Sequence, residues 1–334
     1  MAFNVSALEE YVNQNTLPLL KTASLGAVTQ GIINIQTGVK HKSALNILTV
    51  DPTLQTGSCA FNDAGTATFS QREIAVGDIK INMSFCLNTL ESKWMNYLAK
   101  NTAGAEVLPF EETLLSEIAT KIAEKNEKAI WQGDTTSLDA SLNKFDGLIK
   151  IVEEDCTEVT IVGTDSVYDA IMKVYMAIPA TVLAKAVIFV GFDTYRSLIS
   201  DLMTLNLYHW TPTSDLTGMT LPGSNVKVIP VPGLNGTEEI IAGDPMNFYA
   251  GVDFANDYET FDMWYSKDNQ EFRFVCKYKL GTQIGIPSEI VYANHNTQVF
   301  EQGFSAVNGT SGTSGTSGVS GTSGTSGTSG TGGA

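Results

Sequence analysis

EETLLSEIATKIAEKNEKAIWQGD, residues 111–134, is the stretch whose reading decides how the rest of the chain is understood. Leu114, Ile118 and Ile122 fall on one helical stripe with Leu115, Ala119 and Ala123 beside it, so the spacing predicts an amphipathic helix from about Glu111 to Ile130. Such a helix is about 30 Å long. Glu111 and Glu112 sit at its positive end, and the pairs Glu117 with Lys121 and Glu124 with Lys128 stand at i,i+4 in the favourable order. Trp131-Gln132-Gly133-Asp134 closes it. After a polar loop, Phe145-Asp146-Gly147-Leu148-Ile149 reads as a turn feeding a strand.

Towards the N-terminus, Ile79, Ile81, Met83 and Phe85 alternate with Lys80, Asn82 and Ser84, the period of a half-buried strand. Thr66 to Glu73 is its expected antiparallel partner, the two making a long hairpin. Ser6 with Glu9 forms a capping box for a short helix bounded by Pro18, and an extended arm is expected from there to about Gly57. Asn88 or Thr89 can cap a helix carrying Leu90, Trp94, Tyr97 and Leu98.

Towards the C-terminus, Ser166 with Asp169 caps a helix holding Val167, Ile171, Val174 and Ile178, which Pro179 ends. Ala186 to Val190 is a buried strand broken by Gly191, and Asp193 caps the next helix, Thr194 to about Met203. Val226–Val231 and Glu239–Ala242 are strands separated by the turn signals Pro232-Gly233 and Asn235-Gly236. A last hairpin centres on Asp268-Asn269. A two-residue turn there sets Tyr265 opposite Phe272, Met263 opposite Phe274 and Phe261 opposite Cys276, with Arg273, Lys277 and Lys279 on the other face.

Composition excludes several classes. The chain of 334 residues carries 36 acidic against 20 basic side chains, a formal charge of −16, with 43% hydrophobic and only 17% charged residues. Phosphate-backbone binding depends on clustered Lys and Arg, and no basic run occurs. The low charge leaves much surface available for burial against other chains. No apolar stretch approaches the roughly 18 residues of a membrane span, and the N-terminus lacks a secretory pattern, so residence in a cytoplasm is expected. Cys59, Cys86, Cys156 and Cys276 have no metal-ligand spacing and read as free, buried thiols.

Chemistry-bearing motifs are missing as well. There is no GxGxxG, P-loop, HExxH, EF-hand or GxSxG pattern. His41, His209 and His295 are solitary, and the carboxylate pairs Glu111-Glu112, Glu153-Glu154 and Glu238-Glu239 read as solvated charge. Trp131 and Trp264 read as packing before ligand platforms. No cofactor, metal or catalytic residue is expected, and the chain does not read as an enzyme.

The order of these parts resembles the major capsid proteins of tailed bacteriophages, the Hong Kong 97 fold. The resemblance spans roughly Leu54 to Asn294. It rests on the hairpin around Phe69 to Cys86, the long helix ending Ile130-Trp131-Gln132-Gly133-Asp134 and the downstream Phe145-Asp146-Gly147-Leu148. It rests further on residues 240–249, IIAGDPMNFY, and on the late strand Phe272 to Gly281. It implies an α+β fold with an N-terminal arm over 1–57 and an E-loop hairpin over 58–86. A peripheral domain over 87–154 would contain the spine helix 111–131, an axial domain would occupy 155–252, the peripheral return strands 253–308, and a Gly-Thr-Ser tail 309–334.

It also implies the function: pentamers and hexamers of this chain closing into an icosahedral shell around double-stranded DNA, without reading its sequence. Phe69, Arg72, Ile79, Lys80, Ile81, Met83, Trp131, Arg273 and Lys277 are the expected assembly-interface residues. Expected partners are further copies of the chain, a separate scaffold protein, a portal and a decoration protein, in a virion assembled in the bacterial cytoplasm, with no membrane. An encapsulin-type nanocompartment shell is the alternative within the fold. A secreted adhesin or glycan-binding module on a Gly-Thr-Ser stalk is the alternative outside it. The tail itself has glycine at every third position from 309 to 330 and no charge. It reads as a solvated flexible segment about 28 Å end to end, or as strands of a polyproline-II bundle.

Overall fold

The computed structural model describes residues 19–57, 59, 63–86, 110–162, 165–205, 218–253 and 260–295. The Ser6–Glu9 capping box, the helix opening at Asn88 or Thr89, His209 and the tail lie outside them. In chain order the described strands and longer helices are β1 (Asn34–Thr37), β2 (Lys42–Asp51), β3 (Thr66–Ala75), β4 (Gly77–Cys86), α1 (Phe110–Gln132), α2 (Leu148–Asp155), β5 (Thr157–Glu158), α3 (Val167–Ala177), β6 (Val187–Val190), α4 (Phe192–Thr204), β7 (Met219–Thr220), β8 (Lys227–Pro230), β9 (Glu239–Gly243), β10 (Phe248–Val252), β11 (Thr260–Ser266), β12 (Glu271–Ile284) and β13 (Val291–Asn294).

β12 organises the first sheet. Its even-numbered residues from Phe272 to Leu280 are buried and its odd-numbered ones half-buried, the period-2 pattern of a strand with one face inward. On one side it pairs antiparallel with β11 and then β10, with β1 parallel beyond β10. On the other side it pairs with the whole of β4. Tyr265 stands opposite Phe272, Met263 opposite Phe274 and Phe261 opposite Cys276, the register that the Asp268-Asn269 turn predicts. The inner face packs on α1 through Leu115, Ile118, Ala119, Ile122 and Ile130.

The second sheet has the order β5-β13-β9-β6-β8-β7. α3 and α4 cover one face, joining Ala170, Ile171, Val174, Leu198 and Leu202 to Ile188, Val190, Val228 and Ile240. The other face, through Phe189 and Ile241, joins the core around the end of α1. Ser166 caps α3 by accepting from the Asp169 N–H, as expected. α4 begins two residues before the expected point, with Gly191 at its N-cap and Asp193 in its first turn.

Several expectations are corrected. β3 does not pair with β4; it pairs antiparallel with β2 over Lys42–Asp51, and β4 belongs to the first sheet. Thus the hairpin expected within 58–86 is a ribbon built from β2 and β3, and the arm expected to be extended is helical over 19–25 and a strand over Lys42–Asp51. The physical reason lies at Val76-Gly77. Gly77 has no left-handed backbone; it lacks a side chain because a Cβ there would lie 2.1 Å from the Lys144 carbonyl oxygen. The chain passes straight through, so β3 and β4 follow one extended path with different partners.

Phe145 to Ile149 feeds a helix and not a strand, because Leu148, Ile151 and Val152 bury at helical spacing. β10 lies in the first sheet and β13 in the second, so the expected domain edges at 252 and 253 do not follow sheet membership. Lys121 bonds Glu124 at 2.8 Å in place of Glu117. Cys59 and Cys86 are exposed where buried thiols were expected, and no disulfide joins the described cysteines.

Candidate assembly surfaces

The ten-pair ladder of β2 and β3 buries side chains only at its root, where Leu45 and Ile74 cluster with Val39, Val76 and Tyr249. The root is also tied by polar contacts. Arg72 forms an ion pair with Asp155 at the end of α2 and donates to Gln283 Oε1 at 3.1 Å, while Gln283 Nε2 donates to the Glu73 carbonyl at 2.8 Å. Beyond the root the ribbon presents Leu48 and Val50, each 56% exposed, and Phe69, 80% exposed. A two-stranded ribbon is marginally stable alone in water, and clustered exposed apolar side chains mark a contact surface.

The Arg72 tie is partly solvated, so its loss should cost only about 1 kcal/mol globally. Arg72→Ala is expected to raise amide exchange in 43–51 and 66–74 by severalfold while leaving α1 unchanged. Equal protection in both proteins would mean that the apolar cluster alone holds the root.

A second site joins the two sheets at the end of α1. The α1 stripe continues through Asn126 and Glu127, which are polar yet buried. Asn126 Nδ2 donates to the Ala23 carbonyl at 2.9 Å and its Oδ1 accepts from Tyr278 at 2.6 Å. Glu127 accepts from the Thr29 N–H at 2.9 Å and from its hydroxyl, and burial pushes its carboxyl upward against these bonds. Trp131 Nε1 donates to Thr29 Oγ1 at 2.6 Å, and its ring lies 5.4 Å from Phe189. Gly233 in the 3-10 turn Pro232–Leu234 seats against this ring; a Cβ there would meet Trp131 at 2.2 Å.

The segments Gln132-Gly133-Asp134 and Asp146-Gly147 close on one another, the Gly147 N–H bonding the Gly133 carbonyl at 2.8 Å. Lys150 bridges Asp134 at 2.7 Å and Asp146 at 2.8 Å. The Lys150 bond, with those from Thr136, holds Asp134 down to about 2, and the ammonium is raised in turn.

No protein-family model and no curated protein matches the sequence. Solved structures do match in fold. A chain of the satellite phage P4 procapsid including the size determination protein has a TM-score of 0.57 at 12% identity, covering 84% of this chain and 90% of its own. The capsid of the native GTA particle has a TM-score of 0.53 at 13% identity, covering 82% and 90%. A virus-like particle from Pyrococcus furiosus has a TM-score of 0.50 at 10% identity, covering 87% and 99%. This chain has the phage capsid fold. At such identities the likeness is one of backbone arrangement, so the roles of individual side chains rest on their own geometry.

Within the capsid fold the expected interface residues separate into groups. Phe69 is on the outward ribbon face and Arg72, three residues on, is turned inward to Asp155. Ile79 and Ile81 pack against the core, so substitutions there act first on subunit folding. Lys80 and Met83 are exposed on β4; Arg273 and Lys277 are half-buried on the outer face of β12, with Arg273 bonding Glu271 at 3.1 Å. Trp131 is corrected: it is fully buried inside its own chain and offers no surface to another copy. Thr29, Asn126, Glu127 and Leu48 were not singled out from sequence. A signal existed for two of them, since Asn126 and Glu127 continue the apolar stripe of α1.

One acidic corner also departs from expectation. Glu239, read as solvated, is buried at the start of β9, where β13 pairs with it through Asn294. Asn294 Nδ2 bonds Oε1 at 2.5 Å, and Oε2 has no partner among the described residues. Burial, reinforced by Glu153 of α2, Glu158 of β5 and Glu238, raises its carboxyl to about 7.

Proposed function

We propose that this chain is the major structural protein of an icosahedral shell, built through pentamers and hexamers around double-stranded DNA. The observation that carries the reading is the ribbon: a capsid-fold subunit that projects Leu48, Val50 and Phe69 into solvent on an otherwise unsupported two-stranded ladder. An isolated subunit has no use for that surface, whereas a ring of identical copies covers it once per copy. The net charge of −16 favours enclosing DNA over gripping it. A separate scaffold protein, a portal and a decoration protein belong to the same reading, as do assembly in a bacterial cytoplasm and residence in the virion.

The likeness to the Pyrococcus furiosus virus-like particle supports a second reading, a shell without a genome. Electron microscopy of particles from the native source, with nuclease protection of their contents, decides between them. Closed polyhedral shells containing protected DNA are expected. Shells enclosing protein and no DNA favour the second reading, and a uniform small oligomer under several native conditions overturns both. Replacing residues 46–71 by a short turn is expected to leave a folded subunit by circular dichroism and to abolish shells.

A further inference from the structure

At the β5 edge of the second sheet the strand register brings polar side chains to one face. β5 runs beside β13 with Glu158 level with Tyr292, and β13 runs beside β9 with Asn294 level with Glu239. Residues two apart on a strand share a face, so Glu158, Tyr292, Asn294 and Glu239 lie together. It is the inner face of the sheet, whose Ile241 and Tyr292 belong to one core with Leu148, Ile151 and Val152 of α2. Glu153 follows directly on that helix, and of the charges acting on Glu239 it presses hardest.

This corner holds a carboxylate oxygen with nothing to balance it. Glu239 is 3% exposed, and its Oε2 has no hydrogen-bond partner, while Oε1 is taken by Asn294. A carboxylate oxygen removed from water without a donor is costly. The charges around it add to the cost, since Glu153, Glu158 and Glu238 are all negative. Two cations lie near, but Lys150 is engaged by Asp134 and Asp146, and Arg72 by Asp155. The same carboxylates press on one another and on the buried Tyr292: Glu158 acts on Glu153, and Glu158, Glu153 and Glu239 all act on the Tyr292 hydroxyl. Thus α2, β5 and β9 concentrate negative charge about one buried, unpaired oxygen.

We propose that this corner binds a divalent cation of the calcium class, with Glu239 Oε2 as its buried ligand and Glu153 and Glu158 closing over it from α2 and β5. Among the described residues no three acidic, thiol or imidazole groups already stand around one point, so binding turns the two exposed glutamates inward. Calcium accepts carboxylate oxygens in variable number and loose geometry, with water filling the remaining positions, whereas magnesium demands a near-ideal octahedron. Three carboxylates on long side chains from three elements suit the former. The ion would join β9 and β5 to α2, whose Asp155 holds the ribbon root through Arg72. The site lies within a single copy, so it goes beyond the shell reading and does not depend on it.

The test follows thermal unfolding of the full chain at about pH 8 in about 10 mM calcium chloride, against sodium chloride of equal ionic strength. A site of roughly millimolar affinity is expected to raise the midpoint by about 2–4 °C. Glu239→Gln and Glu153→Gln are each expected to lose that shift; the second changes an exposed side chain and leaves the fold intact. Calorimetric titration with calcium chloride is expected to show binding weakened at least tenfold, by order of magnitude, in both variants. No shift in the unsubstituted chain, or a shift and an affinity unchanged in Glu153→Gln, overturns the proposal. Either result leaves the shell reading intact, because shells are scored separately by electron microscopy.

Discussion

Trp131→Ala is expected to destabilise the subunit by about 3–5 kcal/mol, the range for deleting a large buried aromatic. The indole is fully buried, lies 5.4 Å from Phe189 and donates to Thr29 Oγ1. Truncation opens a cavity where α1 meets the second sheet. It also removes the donor to Thr29, whose hydroxyl and N–H serve the buried Glu127 carboxyl. That carboxyl is already raised by burial, so weakening its support adds to the cost. Urea denaturation of the isolated subunit measures the effect. Trp131→Phe keeps most of the volume and loses the donor, so its smaller loss separates packing from hydrogen bonding. A change below about 1 kcal/mol for Trp131→Ala would mean that this joint does not couple the two sheets.

The second large effect concerns pH. The Glu239 carboxyl is raised to about 7 from an ordinary value of 4.5, with burial as the main cause. A group raised in the folded state contributes stability that is fully present below its unfolded value and is lost as pH rises through the folded value. The window is therefore about pH 4.5 to 7. Across it the wild-type subunit is expected to lose up to about 3 kcal/mol, since a tenfold change in proton affinity corresponds to about 1.4 kcal/mol. Glu153 is raised in the same direction, by burial and then by Glu154 and Glu158, and adds to the trend.

Glu239→Gln keeps an oxygen for the Asn294 amide and carries no charge at any pH. Its stability should fall much less between about pH 5 and 8, so that the variant becomes the more stable of the two at the alkaline end. Thermal unfolding at a series of pH values measures this. Parallel curves for the two proteins would show that Glu239 does not titrate in that range.

The particular elements explain which parts were legible. The β11–β12 register was readable because the two strands are joined by a short turn and the apolar alternation admits one pairing. The α3 cap was readable because Ser166 and Asp169 are local partners. The partner of β3 was not, since β2 and β4 are both extended neighbours in sequence and β4 is taken up along its whole length by β12, almost two hundred residues further on. Leu148-Ile149 was ambiguous for a different reason: two adjacent apolar residues suit a strand or a helix until Ile151 and Val152 are seen to bury with Leu148.

By itself the sequence determined the amphipathic α1, the β11–β12 register, the cap of α3 and the acidic, charge-poor composition. These follow from local periodicity and composition. Tertiary structure alone decided which strands form the projecting ribbon, and that Phe69 faces outward while Arg72 is tied to Asp155. It alone decided that Trp131 is core and that Glu239 is buried beside other carboxylates. The reason is physical: alternation states that two side chains of a strand lie on opposite faces, but which face meets the body depends on contacts between residues far apart in the chain, such as Arg72 with Gln283.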